Sequence, residues 1–355
     1  MIIAKKVGIS SYGTCLPQWA LSLKEVELVQ NKKEGSVSKS LKVKQKTVPD
    51  FDEDVITFST KAALQAIKRA ELSYNFDRQN LGCFFLGSES HPYAVKPSGT
   101  VVKQALGLAE TMALADLQFA CKAGTQALQI GASYVLSGLT KAALAIGVDT
   151  AQARPGDALE YTAAAGGGAF VVDKKKLLAR LIGTISVASD TPDFWRRPGQ
   201  NYPEHSGRFT GEPAYFEHVI LATTKLLSEL KLKPKDIDYC IFHTPNGKFP
   251  RRVAAKLGFS QQQLNPSLVV EKIGNTYAGA SMLALAAVLD QAKVGQTILL
   301  TSYGSGAGAD SFVFKTTALL PKIRRKWQNS LQDQVKRLQP ISYQQYQQLM
   351  KNRGH

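Results

Sequence analysis

Acidic residues and cysteines are both scarce in this sequence. Its 355 residues include 44 Lys and Arg against 28 Asp and Glu, which gives a formal net charge of +16, and there are 4 cysteines. Cys15, Cys83, Cys121 and Cys240 form no C-x-x-C pair, and three of them lie in apolar, strand-like runs. This pattern argues against a disulfide framework and predicts a reducing, cytoplasmic location.

Several functional signatures are also missing. The apolar region 124–147 is interrupted by polar residues such as Gln126 and Lys141, so it predicts no membrane span. No zinc-finger spacing or aromatic RNA-binding motif accompanies the positive charge, which leaves a compositional bias or polyanionic small molecules as its explanation. His205 and His218 lack metal-ligand spacing. The sequence therefore predicts no metal, no nucleic acid and no membrane partner.

One cysteine has the setting of a reactive thiol. Cys121 follows a short apolar strand, and a helix rich in small residues begins directly after it. A thiol in the first turn of a helix lies near the positive end of the helix dipole and near unpaired backbone N–H groups, which favour the thiolate. The alternative is a buried structural cysteine.

A second stretch of the chain repeats this design. In residues 272–282, Asn275 takes the place of Cys121. Glu89 precedes Cys121 by 32 residues and His243 precedes Asn275 by 32 residues, with a matched order of predicted strands and helices around them. Such self-similarity predicts two α/β halves related by a pseudo-twofold axis, with the four polar side chains meeting where the halves join.

The repeat divides the chain into three predicted segments. We expect an N-terminal half at 1–178, a C-terminal half at 179–320 and a basic C-terminal extension at 321–355. The long Gly- and Pro-rich segment 190–213 is predicted to be a functional or mobile loop. The extension has apolar residues at near-helical spacing, which predicts that it docks on the body of the protein or on a partner.

The four repeated side chains suit acyl transfer. Cys121 would take an acyl group from a thioester and hold it covalently. His243 and backbone N–H groups would stabilise the oxyanion that forms during this transfer. A carboxylate at Glu89 would remove a proton from the carbon next to the thioester carbonyl, which makes a carbon nucleophile without decarboxylation.

Four motifs around these residues resemble the thiolase superfamily and, within it, the hydroxymethylglutaryl-CoA synthases of the compact archaeal and bacterial type. They are Gly-Ser-Glu-Ser-His-Pro at 87–92, Ala-Cys-Lys-Ala-Gly at 120–124, Phe-His-Thr-Pro-Asn at 242–246 and Lys-Ile-Gly-Asn-Thr-Tyr-Ala-Gly at 272–279. Ile341-Ser342-Tyr343 and the closing Arg353-Gly354-His355 resemble that type too. The resemblance spans nearly the whole chain and implies a layered αβαβα fold. One departure is Thr244, where the family more often has Gln.

The resemblance implies a role for each motif residue. Cys121 is acetylated by acetyl-CoA, Glu89 deprotonates the acetyl methyl group, and His243 polarises the ketone of acetoacetyl-CoA. Hydrolysis then releases 3-hydroxy-3-methylglutaryl-CoA for the mevalonate pathway and isoprenoid synthesis. The implied substrate-positioning residues are Thr162, Thr210, Asn275 and Ser305, and the implied contacts to coenzyme A phosphates are Lys248 and Arg252. The family needs no cofactor or metal, is homodimeric, and has compact members that associate with an acetoacetyl-CoA thiolase through a small scaffold protein.

Two other functions remain open from the sequence. A β-ketoacyl-acyl carrier protein synthase III shares the fold and a Cys/His/Asn set, but its decarboxylative condensation does not need Glu89. A basic scaffold protein on a degenerate thiolase fold would need none of the four site residues, although all four are present.

Overall fold

The apolar runs of the sequence form strands, most of which belong to one sheet. The computed structural model describes residues 2–3, 6–151 and 153–352, so the closing motif at 353–355 lies outside the described residues. In chain order the strands are β1 (Ile2–Ile3), β2 (Gly8–Cys15), β3 (Trp19–Ser22), β4 (Gln45–Val48), β5 (Leu81–Gly87), β6 (Ala113–Leu117), β7 (Ala142–Thr150), β8 (Ala165–Asp173), β9 (Ala179–Thr191), β10 (Phe194–Trp195), β11 (Glu204–His205), β12 (Tyr239–Phe242), β13 (Thr297–Thr301), β14 (Gly306–Thr316) and β15 (Gln339–Ile341).

The main sheet has the same plan in both halves. Its ten described strands pair in the order β12-β13-β14-β9-β2-β8-β7-β5-β6, with β1 added to β9. In each half a parallel pair, β5–β7 or β12–β13, is followed by an antiparallel strand, β8 or β14, and then by the first strand of that half, β2 or β9. The halves join through two residue pairs between β2 and β9. This plan confirms the predicted repeat of two α/β halves, while the boundaries 1–178, 179–320 and 321–355 stay a prediction.

The halves differ in the segment that leads to Cys121 or Asn275. Strand β6 precedes Cys121, whereas a short helix, Val270–Ile273, precedes Asn275. Pro266, which lacks the N–H that a strand ladder needs, lies in a 3₁₀ turn just before that helix. The prediction that the two stretches share one design is therefore wrong at this point.

Helices complete a five-layer arrangement. In chain order the α-helices are α1 (Leu23–Val29), α2 (Ser36–Leu41), α3 (Val55–Tyr74), α4 (Ser98–Leu106), α5 (Ala123–Ser137), α6 (Phe216–Glu229), α7 (Lys248–Leu257), α8 (Gln261–Leu264), α9 (Val270–Ile273), α10 (Ala280–Leu289), α11 (Leu319–Arg324), α12 (Leu331–Lys336) and α13 (Tyr343–Asn352). Helices α5 and α10 share one apolar core between the two halves of the sheet. The outer faces are covered by α3 and α4 in one half and by α6 and α7 in the other. These layers confirm the αβαβα fold, and no helix of the described residues is long and apolar enough to cross a membrane.

The C-terminal extension docks on the body of the protein. Trp327 Nε1 donates to Ser73 Oγ at 2.9 Å, and the Arg69 guanidinium lies 4.7 Å from the centre of the Trp327 ring. Further along, β15 adds a parallel strand to β3, and Tyr343 and Tyr346 of α13 are buried. Of the two docking surfaces predicted from the sequence, the structure shows the first.

The two halves make a close backbone contact where their inner helices begin. A Cβ added at Gly124, in the first turn of α5, would lie 2.5 Å from the carbonyl oxygen of Ala278. A Cβ added at Gly147 of β7 would lie 2.6 Å from the same oxygen. Glycine is therefore needed at both positions because no side chain has room at this backbone contact.

Replacing Gly124 with alanine is expected to destabilise the fold by about 2 kcal/mol because the new methyl group overlaps a backbone carbonyl from the other half. Gly131→Ala in the same helix is the matched control, since its Cβ would lie 3.2 Å from the Cβ of Ala143. We expect this control to change the free energy of unfolding by less than about 1 kcal/mol. Chemical denaturation measures both, and equal effects would contradict the tight contact at Gly124.

Candidate active site

The predicted nucleophile and the predicted base are in direct contact. Cys121 lies between β6 and α5, and Glu89 lies two residues beyond the end of β5. The Cys121 thiol donates to Oε1 of Glu89 at 3.2 Å. Ala120 has a φ of +40°, so the chain turns sharply just before the cysteine. The structure therefore places a carboxylate against the thiol, as the repeat predicts.

A buried aspartate holds the Glu89 segment in place. Asp149, at the end of β7, accepts hydrogen bonds from the hydroxyls of Ser88 and Ser90 at 2.6 Å each and from the backbone N–H of Glu89 at 2.9 Å. Its other carboxylate oxygen accepts from the backbone N–H of Ala278, in the second half, at 2.7 Å. The sequence reasoning missed Asp149, whose signal is a charged residue at the end of an otherwise apolar strand.

The predicted imidazole is deeply buried. His243 directly follows β12, its backbone N–H donates to the carbonyl of Thr301 at 2.9 Å, and its carbonyl accepts from the Tyr215 hydroxyl at 2.7 Å. Burial lowers the pKa of His243 to about 3, so the imidazole is neutral near neutral pH. Its Nδ1 has no hydrogen-bond partner among the described residues. Thr244, the departure from the family pattern, is buried beside it.

Burial also controls the charge of the cysteine and the glutamate. The pKa of Cys121 is raised well above its usual value, first by burial and then by the Glu89 carboxylate. The pKa of Glu89 is raised by burial and by Asp149. The sequence-based expectation that the helix start favours the thiolate is therefore wrong for this resting structure, because desolvation and a neighbouring negative charge outweigh the dipole.

Asn275 is held next to the predicted residue Thr162. Its backbone N–H donates to the Thr162 carbonyl at 2.8 Å, and its side-chain oxygen accepts from the backbone N–H of Tyr277 at 2.9 Å. Ala163 and Tyr277 pack in one apolar cluster with Cys121. The repeat thus brings the Asn275 segment to the nucleophile, as predicted.

A cavity of about 970 Å³ opens onto Glu89. Its lining includes Ser305, Tyr277 and Arg196, and also Trp195 from the β10–β11 hairpin of the predicted functional loop. Tyr277 is a further residue that the sequence reasoning missed. Its φ is +48°, and its buried hydroxyl has no hydrogen-bond partner within the described ranges. The cavity therefore offers a polar wall beside the Cys121–Glu89 pair.

The other predicted contact residues lie away from this wall. The Thr210 hydroxyl donates to the Asp193 carbonyl at 2.8 Å. Lys248 is exposed at the start of α7. Arg252, one turn further along, forms an ion pair with Glu212 at 3.0 Å and stacks over Phe216. None of the three predicted side chains is among the described residues that line the cavity.

A family model and several solved structures resemble this chain in sequence or fold. A family model described as "3-Oxoacyl-[acyl-carrier-protein (ACP)] synthase III C terminal" matches residues 227–316. The solved structure of MvaS in complex with 3-hydroxy-3-methylglutaryl coenzyme A superposes with a TM-score of 0.88 at 23% identity, over 99% of this chain and 92% of that chain. A structure of HMG-CoA synthase complexed with CoA gives a TM-score of 0.84 at 22% identity, over 97% of this chain and 90% of that chain. These likenesses show that the chain has the thiolase-like fold of the hydroxymethylglutaryl-CoA synthases of known structure.

Curated relatives give the family. The hydroxymethylglutaryl-CoA synthase of Methanopyrus kandleri is 50% identical over 326 residues, which cover 92% of each chain. Those of Methanocaldococcus jannaschii and Methanocella arvoryzae are 50% and 48% identical, over 90% and 96% of this chain and 91% and 96% of theirs. This chain belongs to the hydroxymethylglutaryl-CoA synthase family.

The contact between the Cys121 thiol and the Glu89 side chain predicts how Cys121 reacts with a small electrophile. Glu89→Gln removes a negative charge that raises the pKa of the thiol, so the thiolate forms at lower pH. Because the thiolate is the reactive form, alkylation of Cys121 by iodoacetamide near neutral pH is expected to become severalfold faster. Peptide mass mapping against pH measures this rate at Cys121 alone.

The matched control for this alkylation is Glu212→Gln, which removes a carboxylate that pairs with Arg252 and Lys256 on the surface. We expect it to leave the alkylation profile unchanged. Slower alkylation in Glu89→Gln would show instead that Glu89 accepts the thiol proton during attack.

Proposed function

We propose that this chain condenses acetyl-CoA with acetoacetyl-CoA and water to give 3-hydroxy-3-methylglutaryl-CoA and CoA, in the mevalonate pathway. The observation that carries the proposal is the 3.2 Å contact between the Cys121 thiol and Glu89. A nucleophile alone would suit many acyl transfers. A carboxylate placed against the acyl-cysteine is what the deprotonation of an acetyl methyl group requires.

The first step is acetyl transfer to the cysteine. The Cys121 sulfur attacks the carbonyl carbon of acetyl-CoA, the bond to the CoA sulfur breaks, and CoA leaves as a thiol with the proton from Cys121. The chain turns sharply at Ala120 and α5 begins two residues after Cys121, so the thioester oxygen would lie near the start of that helix, where a helix dipole favours negative charge.

The second step forms the new carbon–carbon bond. Glu89 removes a proton from the acetyl methyl group, and the resulting carbanion attacks the ketone carbon of acetoacetyl-CoA. A neutral His243 polarises the ketone by donating a hydrogen bond to its oxygen, and the proton that Glu89 took from the methyl group neutralises the alkoxide that forms, so both side chains end the step in their starting charge states. Water then cleaves the Cys121 thioester, so that the free carboxylate leaves on the product and the thiol is restored.

Substrate positioning follows from the surroundings of the cavity. Ser305 lines the cavity, and the linked pair of Asn275 and Thr162 lies next to the cluster that contains Cys121. We assign the acyl portion of the substrates to these residues and, on the family resemblance alone, to Thr210. Lys248, exposed at the start of α7, and Arg252, one turn further along, are assigned to coenzyme A phosphates because cations suit a phosphate group, and Arg252 would exchange its Glu212 partner for the phosphate. The proposed reaction needs no cofactor and no metal.

A second copy of the chain is the proposed first partner. Strand β6 is an edge strand of the main sheet, pairs with β5 on one side, and has five half-buried residues. The loop beside it exposes Tyr93 and Val95, and its His91 contacts Asp116 of β6 at 3.4 Å. An open edge strand with apolar neighbours favours pairing with an identical strand across a twofold axis. We further propose a cytoplasmic location and association with an acetoacetyl-CoA thiolase through a small scaffold protein, as in compact members of the family.

The proposed reaction is tested by supplying purified protein with acetyl-CoA and acetoacetyl-CoA and measuring the product by mass spectrometry. We expect 3-hydroxy-3-methylglutaryl-CoA from wild type, none from Cys121→Ala, and a rate lower by about 10²–10³ in His243→Gln because one oxyanion donor is displaced. Glu71→Gln, a partner of Arg78 in a surface ion pair, is the control and should be fully active.

The competing reactions give different results in the same assay. Release of carbon dioxide from malonyl-acyl carrier protein, without product from acetoacetyl-CoA, would indicate a β-ketoacyl-acyl carrier protein synthase III. No acyl transfer from either donor would indicate a non-catalytic protein and would contradict the proposal.

A further inference from the structure

The residue after the nucleophile carries a buried positive charge. Lys122 Nζ lies 2.9 Å from Oδ1 of Asp310, and the two side chains are 2% and 0% exposed. Lys122 belongs to the first half and Asp310 to β14 of the second half. The ion pair therefore joins the turn that carries Cys121 to the opposite half of the fold.

Asp310 is fully engaged in this contact. Its Oδ1 also accepts from the Ser186 hydroxyl at 2.7 Å, and its Oδ2 accepts from the Thr125 hydroxyl at 2.9 Å. Thr125 in turn lies 2.7 Å from the Ser302 hydroxyl. Burying two charges is costly, and a pair of apolar residues often stabilises a core equally well. Stability alone is therefore a poor explanation for a charged pair at this position.

The stem of Lys122 fills the space between the Cys121 turn and a glycine-rich loop. A Cβ added at Gly304 would lie 2.4 Å from the Phe119 carbonyl and 2.8 Å from Lys122 Cγ. A Cβ added at Gly308 would lie 3.1 Å from Lys122 Cε. Between these glycines is Ser305, which lines the catalytic cavity. The position of the loop wall relative to the nucleophile thus depends on where Lys122 is held.

We propose that Lys122 and Asp310 form a positioning pair that holds the Cys121 turn of one half in register with the Ser305 loop of the other. The inference rests on the proposed function, because the step it serves is acetyl transfer to Cys121. The ammonium is directed at Asp310, and neither side chain is among the described residues that line the cavity. The pair is therefore expected to govern the alignment of the acyl donor and not the ionisation of the thiol.

Three variants separate positioning from stability. Lys122→Met keeps an unbranched stem and removes the ammonium, Asp310→Asn removes the carboxylate charge, and the double variant leaves no unpaired charge. For each we measure the acetylation rate of Cys121 by quenched intact-protein mass, its alkylation rate with iodoacetamide, and the Tm. Glu71→Gln combined with Arg78→Met, which removes a partly exposed ion pair in the N-terminal half, is the control.

Acetylation is expected to fall by about 10- to 100-fold in all three variants, since small misplacements of reacting groups have effects of this size. The KM for acetyl-CoA and the alkylation rate are expected to stay unchanged. The Tm should fall in the single variants and recover in the double variant, while the control should acetylate at the wild-type rate. If a single variant does not fold, the double variant still carries the test.

Two results would overturn the inference while leaving the proposed function intact. One is a double variant that recovers both Tm and acetylation, which makes the pair purely structural. The other is a parallel loss of acetylation and alkylation, which indicates a general distortion of the turn. If wild type is alkylated but never acetylated, the proposed function fails, and the inference fails with it.

Discussion

The backbone contact between the two halves at the start of their inner helices is the constraint on which the rest of the structure depends. The Ala278 carbonyl lies so close to Gly124 and Gly147 that neither position has room for a Cβ. The N–H of the same Ala278 donates to Asp149 across the junction. Asp149 also accepts a hydrogen bond from the backbone N–H of Glu89. The same carboxylate therefore joins the two halves and positions Glu89 beside Cys121.

Burial at this junction determines what the side chains can do. The glutamate and the thiol both resist a negative charge, since each is desolvated and lies beside another acid. His243 resists a positive charge for the same reason of burial. The imidazole therefore rests neutral, and the Cys121–Glu89 pair resists carrying a second negative charge. Charge would develop when substrate carbonyls enter, where fixed dipoles stabilise it more effectively than water does.

Much of the site could be predicted because the two halves of the sequence keep the same spacing between their polar site residues. The equal spacing of Glu89–Cys121 and His243–Asn275 identified two equivalent positions in each half, and the structure brings Glu89 into contact with Cys121. The two α/β halves followed from the same repeat, whereas the αβαβα order followed from the resemblance to the thiolase superfamily.

The missed features depend on packing between the halves, which spacing does not encode. Asp149 and Lys122 read as ordinary charged residues until their partners, Ala278 and Asp310, are placed next to them by the fold. The helix start predicts a thiolate at Cys121, but the structure disfavours the thiolate because desolvation depends on everything that surrounds the thiol.

The most direct test of the roles of Cys121 and Glu89 is the intact mass of Glu89→Gln and of wild type after incubation with acetyl-CoA, and again after acetoacetyl-CoA is added. We expect an acetyl group on Cys121 in both proteins and release of 3-hydroxy-3-methylglutaryl-CoA by wild type, with the acetyl group retained in the variant. Normal turnover by Glu89→Gln would contradict the central claim that this carboxylate makes the carbon nucleophile.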